Sequence, residues 1–315
     1  MFERILVPLD GSPRAECALP EAARIARAGG GTVMLLSVVA PLLSPGKFTP
    51  PEVYPKKEMD EELAEATEYL KTLVASHQLD GLTTETHTLV GDVAPTILAA
   101  AESLRTDLIV LWSHGYTGLK RWALGSIAHK LVSHSPVPIL VLRDDGPQMA
   151  GAELRPVQAL VALDGSSFSE AILKPVAELT SELAATTSRQ GMLQVLQVVD
   201  IPSGYGRFRR QVDASYDFEV RAEARQKDQQ YLEAVARRFA EGELAPYHLA
   251  ITTTIVTNPD IAEAIVQIAE QEKVDLIAMA THGRGGIQRW ALGSVTERVL
   301  HASKVPLFLM RPQTK

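Results

Sequence analysis

The sequence predicts an α/β protein of two tandem doubly wound domains, each a mainly parallel five-stranded sheet with helices on both faces. Three observations predict it. A set of motifs occurs twice, in the same order. Within each copy, short apolar runs alternate with amphipathic stretches. The chain has 315 residues, 46% hydrophobic and 22% charged, which is too long for one ordinary domain and sufficient for two cores.

The repetition is that of a whole domain rather than a short-period solenoid. Ile5-Leu6-Val7-Pro8-Leu9-Asp10-Gly11-Ser12 returns as Ala159-Leu160-Val161-Ala162-Leu163-Asp164-Gly165-Ser166. Asp107-Leu108-Ile109-Val110 returns as Asp275-Leu276-Ile277-Ala278, and Arg121-Trp122-Ala123-Leu124-Gly125-Ser126 returns unaltered from Arg289 to Ser294. Val137-Pro138 and the apolar run after it return at Val305-Pro306. A polar stretch rich in Gly and Pro, Asp144 to about Gly151, reads as the linker. The expected domains are therefore 1–146 and 153–315.

In the first half, an apolar strand (Arg4–Leu9) leads into an Ala-rich helix beginning near Ser12 and stopping at Gly29-Gly30-Gly31. Cys17 falls inside that helix and reads as a small buried hydrophobe. A second strand (Thr32–Val39) is followed by a Pro-rich loop and a long charged helix from about Lys56 to His77. Leu63, Ala66, Leu70 and Leu73 recur there at helical spacing. Strands at Thr83–Val90, Leu108–Trp112 and Ile139–Leu142 follow, with helices from about Pro95 to Leu104 and Ser126 to Ser133. The second half repeats the order, with strands near Gln158–Leu163, Leu193–Val199, Ala250–Val256, Leu276–Ala280 and Leu307–Met310. The first and fourth strands are near-continuous apolar runs, as strands covered on both faces are. Ligands of such sheets sit at the carboxyl ends of the strands, at the topological switch point.

Composition excludes several function classes. The net charge of −7 gives no reason to expect a nucleic-acid footprint. The lone Cys17 allows no internal disulfide and no cysteine metal pair. No apolar run approaches the roughly 20 residues of a membrane helix, and no signal peptide is visible, so the expected location is cytoplasmic.

Chemistry is expected where the repeated motifs meet strand ends. Asp10 and Asp164 follow the first strand of each half. They suit a turn or helix cap as well as a carboxylate facing a ligand. Val38 and Val198 end the second strands and suit the core equally. After the fourth strand come Gly115, Gly118, Gly125 and Ser126, and in the second half Ala280, His282, Gly283, Gly286, Gly293 and Ser294. Glycines there let backbone N–H groups converge on phosphate oxygens, and a helix opening at Gly-Ser favours an anion. A tight loop with a serine helix cap uses the same residues. His114 and His282 lie in that loop without a carboxylate or nucleophile at motif spacing. Arg284, Arg289, Lys120, Arg121 and the cluster Arg207, Arg209 and Arg210 suit phosphates or solvent.

Taken together, these residues resemble the universal stress protein family, once per half and over essentially the whole chain. Its ATP-binding branch carries G-x2-G-x9-G-(S/T). The resemblance implies that Asp10, Val38, Gly115, Gly125 and Ser126, and Asp164, Val198, Gly283, Gly293 and Ser294, contact an adenine nucleotide, ATP with Mg2+. The first motif glycine is Trp112 in one half and Ala280 in the other. A methyl is more easily absorbed than an indole, so the second half is the better expected nucleotide site. No Walker-type lysine motif or evident base appears, so a sensor or regulator is expected, with slow ATP hydrolysis at most. A nucleotide-free structural protein is the remaining alternative. The apolar last strand of each half would leave an exposed edge. The resemblance implies that the halves pair there as a pseudo-dimer, which leaves room for a homodimer of chains.

Overall fold

The computed structural model describes residues 2–41, 56–113, 125–143, 155–187, 189–200, 214–281 and 292–312. The chain divides into two compact units, Met1–Asp145 and Gly146–Lys315.

The first unit contains β1 (Arg4–Leu9), α1 (Pro13–Glu16), α2 (Leu19–Gly29), β2 (Thr32–Val39), α3 (Lys56–Val74), β3 (Thr83–Val90), α4 (Val93–Ser103), β4 (Leu108–Ser113), α5 (Ser126–His134) and β5 (Ile139–Arg143). Its strands run in the order β3-β2-β1-β4-β5, and every pair is parallel. β1 and β4 are neighbours in space but not in sequence, so the order reverses between them. Right-handed crossovers place α2 and α3 on one face and α4 and α5 on the other. Ile5, Leu6 and Val7 of β1 and Leu108, Ile109 and Val110 of β4 are wholly buried, as strands sandwiched between helix layers must be.

The second unit repeats this with β6 (Gln158–Leu163), α6 (Ser167–Glu170), α7 (Leu173–Ala185), β7 (Met192–Val199), α8 (Ala214–Glu241), β8 (Ala250–Thr257), α9 (Ile261–Gln271), β9 (Leu276–Ala280), α10 (Ser294–Ala302) and β10 (Leu307–Met310). The order is β8-β7-β6-β9-β10, again parallel throughout. Two doubly wound α/β domains are thus present, as the alternation of elements predicted.

One expectation fails locally. The helix expected from Ser12 is two helices, broken at Cys17-Ala18. Pro20 stands in the first turn of α2, where its missing N–H costs nothing, and its ring would clash with a helical carbonyl at Glu16. Cys17 is consequently exposed rather than buried, and its Sγ donates to the Pro13 carbonyl at 3.5 Å. The glycine stop is as expected. Gly30 caps α2 at φ +69, in the left-handed region glycine tolerates.

Each unit is pinned at the amino end of its central strand by an aspartate, half-buried in the first unit and wholly buried in the second. Asp107 Oδ2 accepts from the Glu3 N–H at 2.7 Å and the Arg4 N–H at 3.1 Å. Asp275 accepts from the Gln158 N–H at 2.8 Å and from Arg155 Nη2 at 2.6 Å. These are the two aspartates of the duplicated Asp-Leu-Ile motif, which explains why an acidic residue opens an otherwise apolar strand. Among the described residues, no helix is long and apolar enough to cross a membrane.

Candidate functional site

In the first unit, the carboxyl ends of β1, β2 and β4 and the amino ends of α4 and α5 surround a cavity of about 390 Å³. Asp10, Val38, Gly125 and Ser126 all line it. These four residues come from three separate places in the sequence, and the switch point brings them together. Trp112 lines the cavity too, half-buried, rather than being consumed by the core.

Asp10 fulfils the turn role as well. Its Oδ1 accepts from the Ser12 N–H at 3.0 Å, and Ser12 in turn caps α1 by accepting from the Ala15 N–H at 3.2 Å. In the second unit, Asp164 Oδ1 accepts from Ser166 N–H at 2.9 Å and from Ser166 Oγ at 2.6 Å, and Ser166 caps α6. Each aspartate is therefore held by its own turn at the end of the central strand. Val198 is the penultimate residue of β7 and Ala280 ends β9, in positions equivalent to Val38 and Trp112.

The serine-cap alternative is corrected. Gly125 and Gly293 are the cap residues, and Ser126 and Ser294 are the first helical residues. Among the described residues no side chain caps either helix, as a serine at the cap would. Gly115, Gly118, His114, Lys120 and Arg121 lie outside the described residues, as do His282, Gly283, Arg284, Gly286, Arg289, Arg207, Arg209 and Arg210.

The two helix-opening glycines differ. Gly293 N–H donates to the Thr281 carbonyl at 2.8 Å, and a Cβ on Gly293 would lie 2.9 Å from that oxygen. Among the described residues, a Cβ on Gly125 would meet nothing within 4 Å. Gly293→Ala is therefore expected to lower stability by about 1–2 kcal/mol through overpacking, while Gly125→Ala is neutral or slightly stabilising through the unfolded chain. Urea unfolding of the ligand-free variants checks this; equal midpoints would contradict it.

One pair of contacts was not legible in the sequence. Tyr69 Oη on α3 donates to Glu16 Oε1 on α1 at 3.0 Å, and Tyr231 Oη on α8 donates to Glu170 Oε1 on α6 at 2.6 Å. Each ties the long charged helix to the short helix behind the Asp10 or Asp164 turn. Arg238 also pairs with Glu170. The signal was present but displaced, because the glutamates are offset by 154 residues and the tyrosines by 162. Both hydroxyls are held well above the usual tyrosine range. Burial is the main cause, followed by the glutamate acceptor, with Asp10 or Asp164 adding to it.

A phenol whose pKa is raised by folding stabilises the fold below its unfolded value near 10, and that stability is lost as pH rises toward the folded value. Stability is therefore expected to fall above pH 10, and less steeply in a Tyr69→Phe/Tyr231→Phe double variant. Ultraviolet titration followed with circular dichroism reads it. All seven tyrosines ionising together near pH 10 with the fold intact would refute it.

The model of the universal stress protein family matches residues 1–143 and again residues 158–311. A universal stress protein of Mycolicibacterium smegmatis is 26% identical over 316 residues, covering 98% of this chain and 97% of its own. One from Bacillus subtilis is 30% identical over 148 residues, covering its whole length and 45% of this chain. Among solved structures, a universal stress protein from Archaeoglobus fulgidus matches with a TM-score of 0.67 at 21% identity, covering 98% of each chain, which is a likeness of fold. The duplicated switch point, with an aspartate after each central strand and a glycine capping the helix that follows β4 and β9, agrees with that double match: the chain belongs to the universal stress protein family, in a tandem two-domain form.

Proposed function

We propose that the chain binds an adenine nucleotide, ATP with Mg2+, at the switch point of its second unit, and acts as a nucleotide-dependent sensor or regulator. The observation that carries this reading is the convergence in the first unit. Asp10, Val38, Gly125 and Ser126, picked out by their motifs, line one cavity there. Of their counterparts in the second unit, Asp164 follows β6, Val198 lies one residue from the end of β7, and Gly293 and Ser294 cap and open α10. Ala280 stands where the first unit has Trp112, a methyl in place of an indole. Asp164 would receive the adenine or ribose donors, and the uncapped start of α10 would face phosphate oxygens. Mg2+ bound largely through phosphates and waters needs few protein ligands. Binding would favour one arrangement of the loops by its differential affinity.

Isothermal calorimetry of nucleotide-free protein with Mg-ATP tests the proposal through its stoichiometry. One site per chain is expected. Two sites would mean that Trp112 is accommodated and that the preference for the second unit is wrong. No binding at millimolar Mg-ATP overturns the nucleotide reading.

A further inference from the structure

The outer strand of the first unit's sheet is long and unguarded. β3 stands last in the order β3-β2-β1-β4-β5, and among the described residues it pairs with β2 alone. It runs for 8 residues, Thr83–Val90, and holds no Pro or Lys. Those are the residues that most often blunt an open edge against a further strand. Thr86 is exposed, and Leu89 and Val90 are large hydrophobic residues left 37% and 45% exposed.

The backbone groups of this strand alternate in direction. Gly91 N–H donates to the Val39 carbonyl at 3.1 Å, and Leu89 is in register with Val38. In a parallel ladder alternate residues bond the neighbouring strand, so Thr83, Glu85, His87 and Leu89 bond β2. Thr84, Thr86, Thr88 and Val90 therefore turn their N–H and C=O groups outward. Among the described residues nothing takes them up.

The sequence of β3 is complementary to itself when a second copy runs antiparallel. Centred on Thr86, the pairing sets Thr86 opposite its own copy, Thr84 opposite Thr88, and Glu85 opposite His87. The threonines are then the hydrogen-bonded pairs, because theirs are the outward groups. Glu85 and His87 fall in the other class of pair, where facing Cα atoms stand only about 4.5 Å apart. A carboxylate faces an imidazole donor there, and threonine faces threonine, both of which favour pairing. Neighbouring registers lack this match. Centring on Glu85 sets two carboxylates against each other, and centring on His87 sets Glu85 against Leu89. The second unit's outer strand makes no such choice. On β8, Thr252 and Thr254 stand where β3 has Glu85 and His87, and Thr254 Oγ1 is taken by Gln194 Nε2 at 3.1 Å.

We propose that two chains associate through the β3 edges of their first units, antiparallel about a two-fold axis at Thr86. The contact is isologous, so it closes after two copies. It uses the edge of the sheet rather than the switch point, and so stands apart from the nucleotide reading.

Sedimentation velocity of the full chain without nucleotide tests it. A concentration-dependent equilibrium between one and two chains is expected. Thr86→Pro removes the central N–H of both strands, at a place where that group bonds nothing within its own sheet. It is expected to weaken association about thirtyfold, the worth of two hydrogen bonds. Thr253→Pro, at the matching place on β8, is expected to leave association unchanged. Oxidation in a Cys17→Ser background reads the register. Thr86→Cys is expected to form a disulfide between chains, since the Cα atoms of that pair lie about 5.5 Å apart. Thr84→Cys, whose two copies lie about 13 Å apart in this pairing, is expected not to. This cross-link decides the matter even where Thr86→Pro does not fold. A chain that stays single at every concentration, association indifferent to folded Thr86→Pro, association lost in folded Thr253→Pro, or equal cross-linking at positions 84 and 86 would overturn the proposal. Silence toward Mg-ATP in calorimetry bears on the nucleotide reading alone.

Discussion

Asp275→Ala is expected to lower the unfolding free energy of the second unit by about 3 kcal/mol, a drop of roughly 9 °C in melting temperature for a unit of this size. The carboxylate is wholly buried and has two duties. It accepts the N–H of Gln158, which opens the central strand, and it pairs with the Arg155 guanidinium. Alanine leaves a half-buried backbone donor without that acceptor and removes the partner of a charge. Asp275→Asn keeps an acceptor and loses the charge, so about half the effect is expected. Asp107→Ala costs less, because the Glu3 N–H it serves is already exposed to water. Scanning calorimetry of the three variants gives the ranking, and a loss below 1 kcal/mol in Asp275→Ala would show that the clamp is dispensable.

Asp164→Ala is expected to weaken Mg-ATP binding between tenfold and a hundredfold, since a hydrogen bond to a charged group is worth about 1.5–3 kcal/mol. The substitution also removes the acceptor of the Ser166 N–H and hydroxyl, which shape the turn before α6. Asp164→Asn separates the two effects. Its side-chain oxygen still serves the turn, so binding that recovers partly in Asn assigns the remainder to the charge. Asp10→Ala is expected to leave the Mg-ATP affinity unchanged, because Trp112 stands in that half. Calorimetric affinities for the three variants decide. An Asp164→Ala protein that binds as tightly as the unmodified chain would remove the aspartate from the site.

The sheet was legible because its signal is one-dimensional. Buried parallel strands are apolar runs, and β1, β2, β6, β9 and β10 have the bounds the runs marked. The duplicated motifs located the switch point in the same way, since Asp10, Val38, Gly125 and Ser126 are each punctuation at an element's end. What the sequence hid depends on three-dimensional packing. Periodicity carried the first helix past Cys17, although Pro20 held the contrary signal. The Tyr69–Glu16 contact joins helices 53 residues apart and leaves no local pattern. The orientation of Trp112 could not be read from its place in a strand, because both faces of β4 are covered. Gly125 and Gly293 are the same residue in the same motif, and only the described surroundings separate them.

The order of the strands also governs when each sheet can be completed. β1 is the third strand across its sheet, yet its neighbour β4 and the Asp107 clamp arrive about a hundred residues later in the chain. A nascent chain must therefore hold an apolar central strand with one edge unpaired through most of the first unit's synthesis, a slow and aggregation-exposed topology. Duplication adds a rival, because Asp275-Leu276-Ile277 offers β1 nearly the edge that Asp107-Leu108-Ile109 does. Vectorial synthesis removes the competition by finishing the first unit before the second emerges. Refolding from denaturant restores it, so full-length chains diluted from urea will partition into strand-exchanged species that chains made on the ribosome avoid.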